Sequence, residues 1–301
     1  MQRVINFSKY GNNVLIVSVI LTLIGLIYTF FYHGGYNWGI DFSSRVNINL
    51  SIEKSDIKEN EIKRIFSPIY KTLDVKSIFS PDENENKSEF SIMVKSDIID
   101  YAFKTEVQKT IMDELKKAFN ANIEVLDSYF IDSSFSYTLR IKSIFLVLGT
   151  FTLILIYIAL RFKLSYAIAS ILSIFHDIFF IVAFLGVFRI EINSYIIVAI
   201  LTIIGYSLND TIIIFDRIRD NVKRLTDSAF LNILNISISQ TLSRTVLTSV
   251  TTFVAVFSIY VFTEGSIKDF SLVFMVGVIV GTYSSVFIAS PILLKLYKKI
   301  K

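Results

Sequence analysis

Residues 192–217 read INSYIIVAILTIIGYSLNDTIIIFDR. The first eighteen carry no charge, Asp210 then interrupts the run, and apolar residues resume until Asp216 and Arg217. Roughly 17–25 mainly apolar residues cross a bilayer as a helix. The stretch therefore reads as a membrane span with an acid inside it. Five further stretches have the same character: Tyr10–Ile40, Ser143–Leu160, Leu164–Phe188, Thr245–Thr263 and Phe270–Leu294. Leu164–Phe188 is broken only by His176 and Asp177. Six spans are expected.

Composition agrees. The 301 residues are 53% hydrophobic and 19% charged, where a soluble domain is nearer a quarter charged. An aromatic content of 14% leaves too much apolar surface for a disordered chain. There is no cysteine, which excludes a disulfide scaffold, a cysteine-ligated metal site and thiol chemistry. Residues 34–140 hold 32 of the 56 charges, so one polar block sits between the first two spans. The first span lacks a small-residue cleavage site and is too long for a signal peptide, so it is expected to stay as an anchor.

Lysine and arginine set the orientation. One set of span ends carries Arg3, Lys9, Arg161, Lys163, Arg217, Arg219, Lys223, Arg224, Lys295, Lys298, Lys299 and Lys301; the opposite short loops carry Arg189 and Lys268. Both termini are expected in the cytoplasm, with the chain a multi-pass protein of the cytoplasmic (inner) membrane. The expected divisions are 1–33 (N-terminus and first span), 34–140 (extracytoplasmic domain) and 141–301 (spans two to six). An amphipathic cytoplasmic segment is expected at 217–241.

Within the polar block, Arg45–Ile52 alternates as a half-buried strand does. Ser55–Tyr70 reads as a helix with Ser55 as N-cap and Ile57, Ile62, Ile65, Phe66 and Ile69 on its apolar face. Val75–Phe79 and Glu89–Val94 read as strands flanking a polar loop at Pro81–Lys87. Ala102–Phe119 reads as a helix and Ile123–Ile131 as a strand. The order βαββαβ points to a ferredoxin-like α+β domain between spans one and two.

Ionisable residues within spans are costly and usually functional. Asp177 with its neighbour His176 lies near the middle of span three. In span four, Asp210 lies about sixteen residues from Ser194, roughly 24 Å at helical rise, with Asn209 beside it. Arg244 opens span five at a similar depth, so Asp210 and Arg244 can meet. A carboxyl in an apolar span changes protonation when an arginine approaches or leaves, which suits a proton relay. A plainer reading competes with it: the Asp210–Arg244 pair holds helices together, and Asp177 bonds hydroxyls such as Ser173. Gly205, Gly277 and Gly281 suit close helix packing, the last two as Gly-x-x-x-Gly.

No enzyme motif is present: no phosphate-loop lysine, no HExxH and no GxSxG. No cofactor or metal site is expected from the two histidines His33 and His176. A nucleic-acid role does not fit so apolar a chain.

IGYSLNDTIIIFDRIRDN (204–221) closely resembles the fourth-span signature of the SecF branch of the SecD/SecF family of protein-export membrane proteins. YNWGIDF (36–42), FHD (175–177), QTLSRTVLTSVTT (240–252) and IKDFSLVFMVGVIVGTYSSVFIASP (267–291) resemble further elements of that family, in its order. The resemblance implies one half of a heterodimeric pair related to the proton-driven RND transporters. It implies a SecD-like partner, the SecYEG channel, the accessory proteins YajC and YidC, and an unfolded exported polypeptide as substrate, with the proton gradient driving export. By motif, Asp210 resembles the family's proton-carrying aspartate and Arg244 its span-five arginine; His176 and Asp177 belong to a family element. Two junctions depart from the family. Ser43, Ser44 and Arg45 stand where it usually has glycines, and Ile131–Ser136 contains none. Two other readings compete: a membrane scaffold that conducts no ions, and an independent RND-type exporter of small molecules or lipids.

Overall fold

The computed structural model describes residues 7–42, 44–54, 57–70, 73–78, 87–95, 101–131, 133–226, 228–263 and 265–300. The chain divides into two compact units, residues 38–142 and the remainder.

The smaller unit holds β1 (Arg45–Ile52), α2 (Glu59–Phe66), β2 (Leu73–Ile78), β3 (Ser88–Lys95), α3 (Tyr101–Phe119) and β4 (Ile123–Ile131). The sheet order is β2-β3-β1-β4, antiparallel throughout. This is the ferredoxin-like arrangement. The alternation in β1 explains its place at the centre. Val46, Ile48, Leu50 and Ile52 are buried with Ile62 and Phe66 of α2 and Val107, Ile111 and Leu115 of α3. The intervening Asn47 joins the sheet's other face, donating to Tyr129 (2.6 Å) and accepting from Ser91 (2.9 Å). The register of β1 against β4 slips between Asn49 and Leu50.

The first helix of this unit is shorter than its periodicity suggests. It starts at Glu59, because Lys58 is extended, and it ends at Phe66. Ile69 is exposed instead of lying on the buried face. The cap assigned to Ser55, and the loop assigned to 81–86, lie outside the described residues, as does Phe79.

Among the described residues, six helices are long and apolar enough to cross a membrane. They are Tyr10–Phe31 in α1 (Ser8–Phe31), Phe135–Arg161 in α4 (Ser133–Arg161), α5 (Leu164–Val187), α6 (Ser194–Arg224), α7 (Phe230–Phe262) and Gly265–Tyr297. The last joins α8 (Gly265–Ser284), a π-helical turn Ser285–Ala289 and α9 (Ser290–Ile300). The chain is a multi-pass membrane protein.

In the membrane unit, α6 and α8 are the most enclosed spans and α4 the least. Glycines let backbones approach. A Cβ on Gly277 would stand 2.3 Å from the Ile203 side chain, and one on Gly281 2.8 Å from Ser207 Cβ. α1 lies against α5 in the same way, since a Cβ on Gly186 would meet Thr29 Oγ1 at 2.1 Å. Gly205 differs: it is exposed on α6, and a Cβ there would meet nothing within 4 Å. Among the described residues, none packs closely on it.

The α5–α6 turn is stitched to the segment after α1. Arg189 takes a left-handed conformation (φ 55°) and donates to the carbonyls of His33 (3.2 Å) and Gly35 (3.1 Å). Ile192 N donates to Asn37 O at 2.8 Å.

Residues 217–241 do not form a separate helix. They are the last turns of α6, a short connection and the first turns of α7. Of their apolar residues, Ile218, Ile233, Leu234 and Ile238 are buried in a helical hairpin, while Leu231 is exposed. Gln240 Oε1 accepts from Arg217 Nε (2.6 Å) and Asn221 Nδ2 (2.8 Å), and Asn221 also reaches Ser237 (2.9 Å). An amphipathic pattern alone does not say whether its apolar face meets lipid or another helix; here it meets another helix.

Candidate functional site: buried carboxyls of the membrane unit

Asp177 is 1% exposed on α5. Ser207 of α6 donates to its Oδ2 at 2.5 Å, and Ser284 of α8 donates to the same oxygen at 2.8 Å. Its Oδ1 lies 3.0 Å from His176 Nδ1. The other ring nitrogen, Nε2, lies 2.7 Å from Ser18 Oγ of α1, which is 2.6 Å from the Tyr283 hydroxyl of α8. One polar network thus joins α1, α5, α6 and α8. Buried polar groups need such partners, and a complete network fixes one arrangement of the helices around it.

The sequence suggested Ser173 as a hydroxyl partner for Asp177. The structure gives that role to Ser207 and Ser284 and leaves Ser173 Oγ with no hydrogen-bond partner. Ser173 shares a helix with Asp177, whereas Ser207 and Ser284 come from α6 and α8, which pack closely on each other at Gly277 and Gly281.

Asp210 lies three residues beyond Ser207, on the same side of α6 at 3.6 residues per turn. It is 1% exposed, and its Oδ2 has no hydrogen-bond partner. The hydroxyls of Thr211 and Thr245, both buried, have none either. Arg244 lies within electrostatic range of Asp210. Among the described residues no ion pair within 4 Å joins them, and Arg244 is exposed on α7. The two residues are brought near each other without closing the contact. Asn209, like Gly205, is exposed on α6 and stands apart from both carboxyls' buried surroundings.

Asp216, about two turns before the end of α6, pairs with Arg161 at the end of α4 and with Arg219 of its own helix, each at 3.0 Å. Both pairs are partly exposed, and the first joins α4 to α6. Ser18 and Tyr283 were missed in the sequence. Ser18 precedes His176 by 158 residues, and its only local sign is a hydroxyl within an apolar span.

In the sheet unit, residues 38–42 are clasped by Arg140 of α4 and by Lys95 of β3. Arg140 Nη2 donates to Phe42 O at 2.5 Å, and its guanidinium stands 4.6 Å over the Trp38 ring. Lys95 Nζ donates to Trp38 O at 3.0 Å.

Comparison with known proteins follows this geometry. Residues 110–299 match the family model described as "Protein export membrane protein SecD/SecF, C-terminal". The chain is 92% identical over 301 residues to protein translocase subunit SecF of Borreliella burgdorferi, covering all of both chains. It is 34% identical to protein translocase subunit SecF of Helicobacter pylori, covering 98% of this chain and 88% of that one. The crystal structure of SecDF, a translocon-associated membrane protein from Thermus thermophilus, superposes with a TM-score of 0.77 at 28% identity. That match covers 99% of this chain, which spans 39% of the Thermus chain.

Proposed function

Since this chain belongs to the SecD/SecF family of protein-export membrane proteins, with SecF translocase subunits as full-length relatives, we propose that it promotes protein export by using the proton gradient. In this reading Asp210 carries the proton and Arg244 competes with it. A SecD-like subunit supplies the second half of the machine, as support from the much longer SecDF chain suggests, and the pair serves a SecYEG channel. The distribution of lysine and arginine supports an inner-membrane orientation with both termini in the cytoplasm and the sheet unit outside.

The observation that carries the proton reading is the open contact at Asp210. A carboxyl enclosed among helices, with Oδ2 unpartnered and a guanidinium near but unpaired, has two ways to be satisfied. Either the arginine closes on it or a proton binds, and helix movement decides between them. A permanently closed ion pair would support the scaffold reading instead.

The test is export of a secretory polypeptide into inverted membrane vesicles, with and without a proton gradient. Wild type and Asp210→Asn are compared at matched membrane abundance. The gradient is expected to speed export in wild type and to have no effect in the variant. An equal response in both sinks the proton role of Asp210.

A further inference from the structure

The coupling assigned above to Asp210 leaves the His176–Asp177 pair unused. Their side chains are 7% and 2% exposed, and a buried titratable pair in a span requires an account. We propose that His176 and Asp177 form a second proton-binding site in the membrane unit, separate from Asp210, whose state is read by the hydrogen bonds of Ser18 and Tyr283.

The donor geometry supports this. Ser207 and Ser284 both donate to Asp177 Oδ2, so that oxygen acts as an acceptor. The remaining oxygen, Oδ1, faces Nδ1, and one proton lies between them. In the state with one fewer proton, Nδ1–H donates to the carboxylate and Nε2 is bare. Ser18 then donates its O–H to Nε2 and accepts from the Tyr283 hydroxyl. When one proton is added, the pair is either imidazolium with carboxylate, or neutral imidazole accepting from the carboxylic acid at Nδ1. In both forms Nε2 carries a proton and donates it to Ser18 Oγ. Ser18 must then turn its own O–H to the Tyr283 oxygen, and the Tyr283 hydroxyl proton must point elsewhere. Binding one proton on α5 thus reverses the hydrogen bonds that join α1 to α8.

The groups around the pair are few. α8 brings one titratable residue, Tyr283, and the neutral Ser284. α6 brings Ser207, with Asp210 three residues further along. Among the described residues, α1 brings the neutral Ser18, and its neutral Thr22 lines a cleft with His176. No Lys or Arg among the described residues makes an ion pair with Asp177, so His176 is the one basic side chain that faces it there. Any link from this site to export rests on the reading of Asp210; proton binding itself does not.

The chain has two histidines, which makes the test direct. The full chain would be labelled with ¹⁵N-histidine and placed in lipid nanodiscs, and a His33→Gln variant would assign the His176 signals. Nitrogen NMR distinguishes bare from protonated ring nitrogens. As the pH is lowered across the window in which the labelled chain stays folded, Nε2 of His176 is expected to pass from bare to protonated while Nδ1 keeps a proton neighbour. In Asp177→Asn the carboxamide still accepts from Ser207 and Ser284, but its NH₂ donates to Nδ1. Nε2 is then protonated throughout and the switch is lost. A wild-type Nε2 that holds one state across the whole window overturns the proposal, whatever the variant does. A switch that persists unchanged in Asp177→Asn also overturns it, because the imidazole then titrates alone. Either result is independent of the export assay on Asp210→Asn.

Discussion

Ser207 donates a 2.5 Å hydrogen bond to Asp177 from a position one turn before Asp210 on the same helix. The two intramembrane carboxyls are therefore mechanically connected: one holds the helix face on which the other sits. Ser207 is also where Gly281 makes its closest approach, so polar and steric constraints on α6 coincide at one residue.

Removing the Ser207 hydroxyl should loosen that connection without creating a clash. Ser207→Ala leaves Asp177 with Ser284 and His176 as partners. Interhelical hydrogen bonds in membranes are worth about 0.6–2 kcal/mol, and a loss of that size is expected in unfolding of the full chain in mixed micelles. No change in stability would mean that the bond does not hold α6.

The glycines divide into two classes. Gly277→Ala drives a methyl group into Ile203 and should destabilise the chain by about 1–3 kcal/mol. Gly205→Ala meets open space, and the chain measured alone should shift by no more than about 0.5 kcal/mol toward lower stability. Thermal unfolding of both variants side by side checks the contrast; equal losses would contradict the packing described for α8.

Trp38 is the one tryptophan of the chain, which makes its clasp by Arg140 visible. Arg140→Ala removes a guanidinium 4.6 Å from its ring and the hydrogen bond to Phe42 O. Tryptophan emission is expected to change in wavelength and intensity. Arg140→Lys should restore it only in part, because an ammonium neither stacks nor presents a planar fork. Unaltered emission in Arg140→Ala would show that the clasp is not populated.

Ile48 is fully buried at the centre of β1, so Ile48→Ala should cost about 2–5 kcal/mol. Leu126 on β4 is 48% exposed, and Leu126→Ala should stay within about 0.5 kcal/mol of wild type. Hydrogen exchange of residues 38–142 in the full chain separates the two. Similar protection in both variants would argue against the core as described.

Much of the sheet unit was legible because strands and helices announce themselves by period. Arg45–Ile52 alternates, and the structure puts its apolar half into the core. Helix ends were less legible: Lys58 is extended where periodicity continued the helix, and nothing in that pattern marks the break. At the site, Asp177, His176 and Asp210 stood out because ionisable residues are conspicuous in apolar spans. Ser18 and Tyr283 did not, since a single hydroxyl in a span is common and its partner lies far away in the chain.

The amino-acid sequence by itself determined six spans, one polar block between the first two, and the acids and the arginine placed within apolar helices. These are properties of single segments, set by local hydrophobicity and period. Only the tertiary structure decided that Asp177 takes its hydroxyls from α6 and α8, that Gly277 and Gly281 pack where Gly205 does not, and that 217–241 closes into a hairpin. Each of these depends on how a helix is rotated about its axis. That rotation is set by the combined packing of its neighbours, so no single segment encodes it.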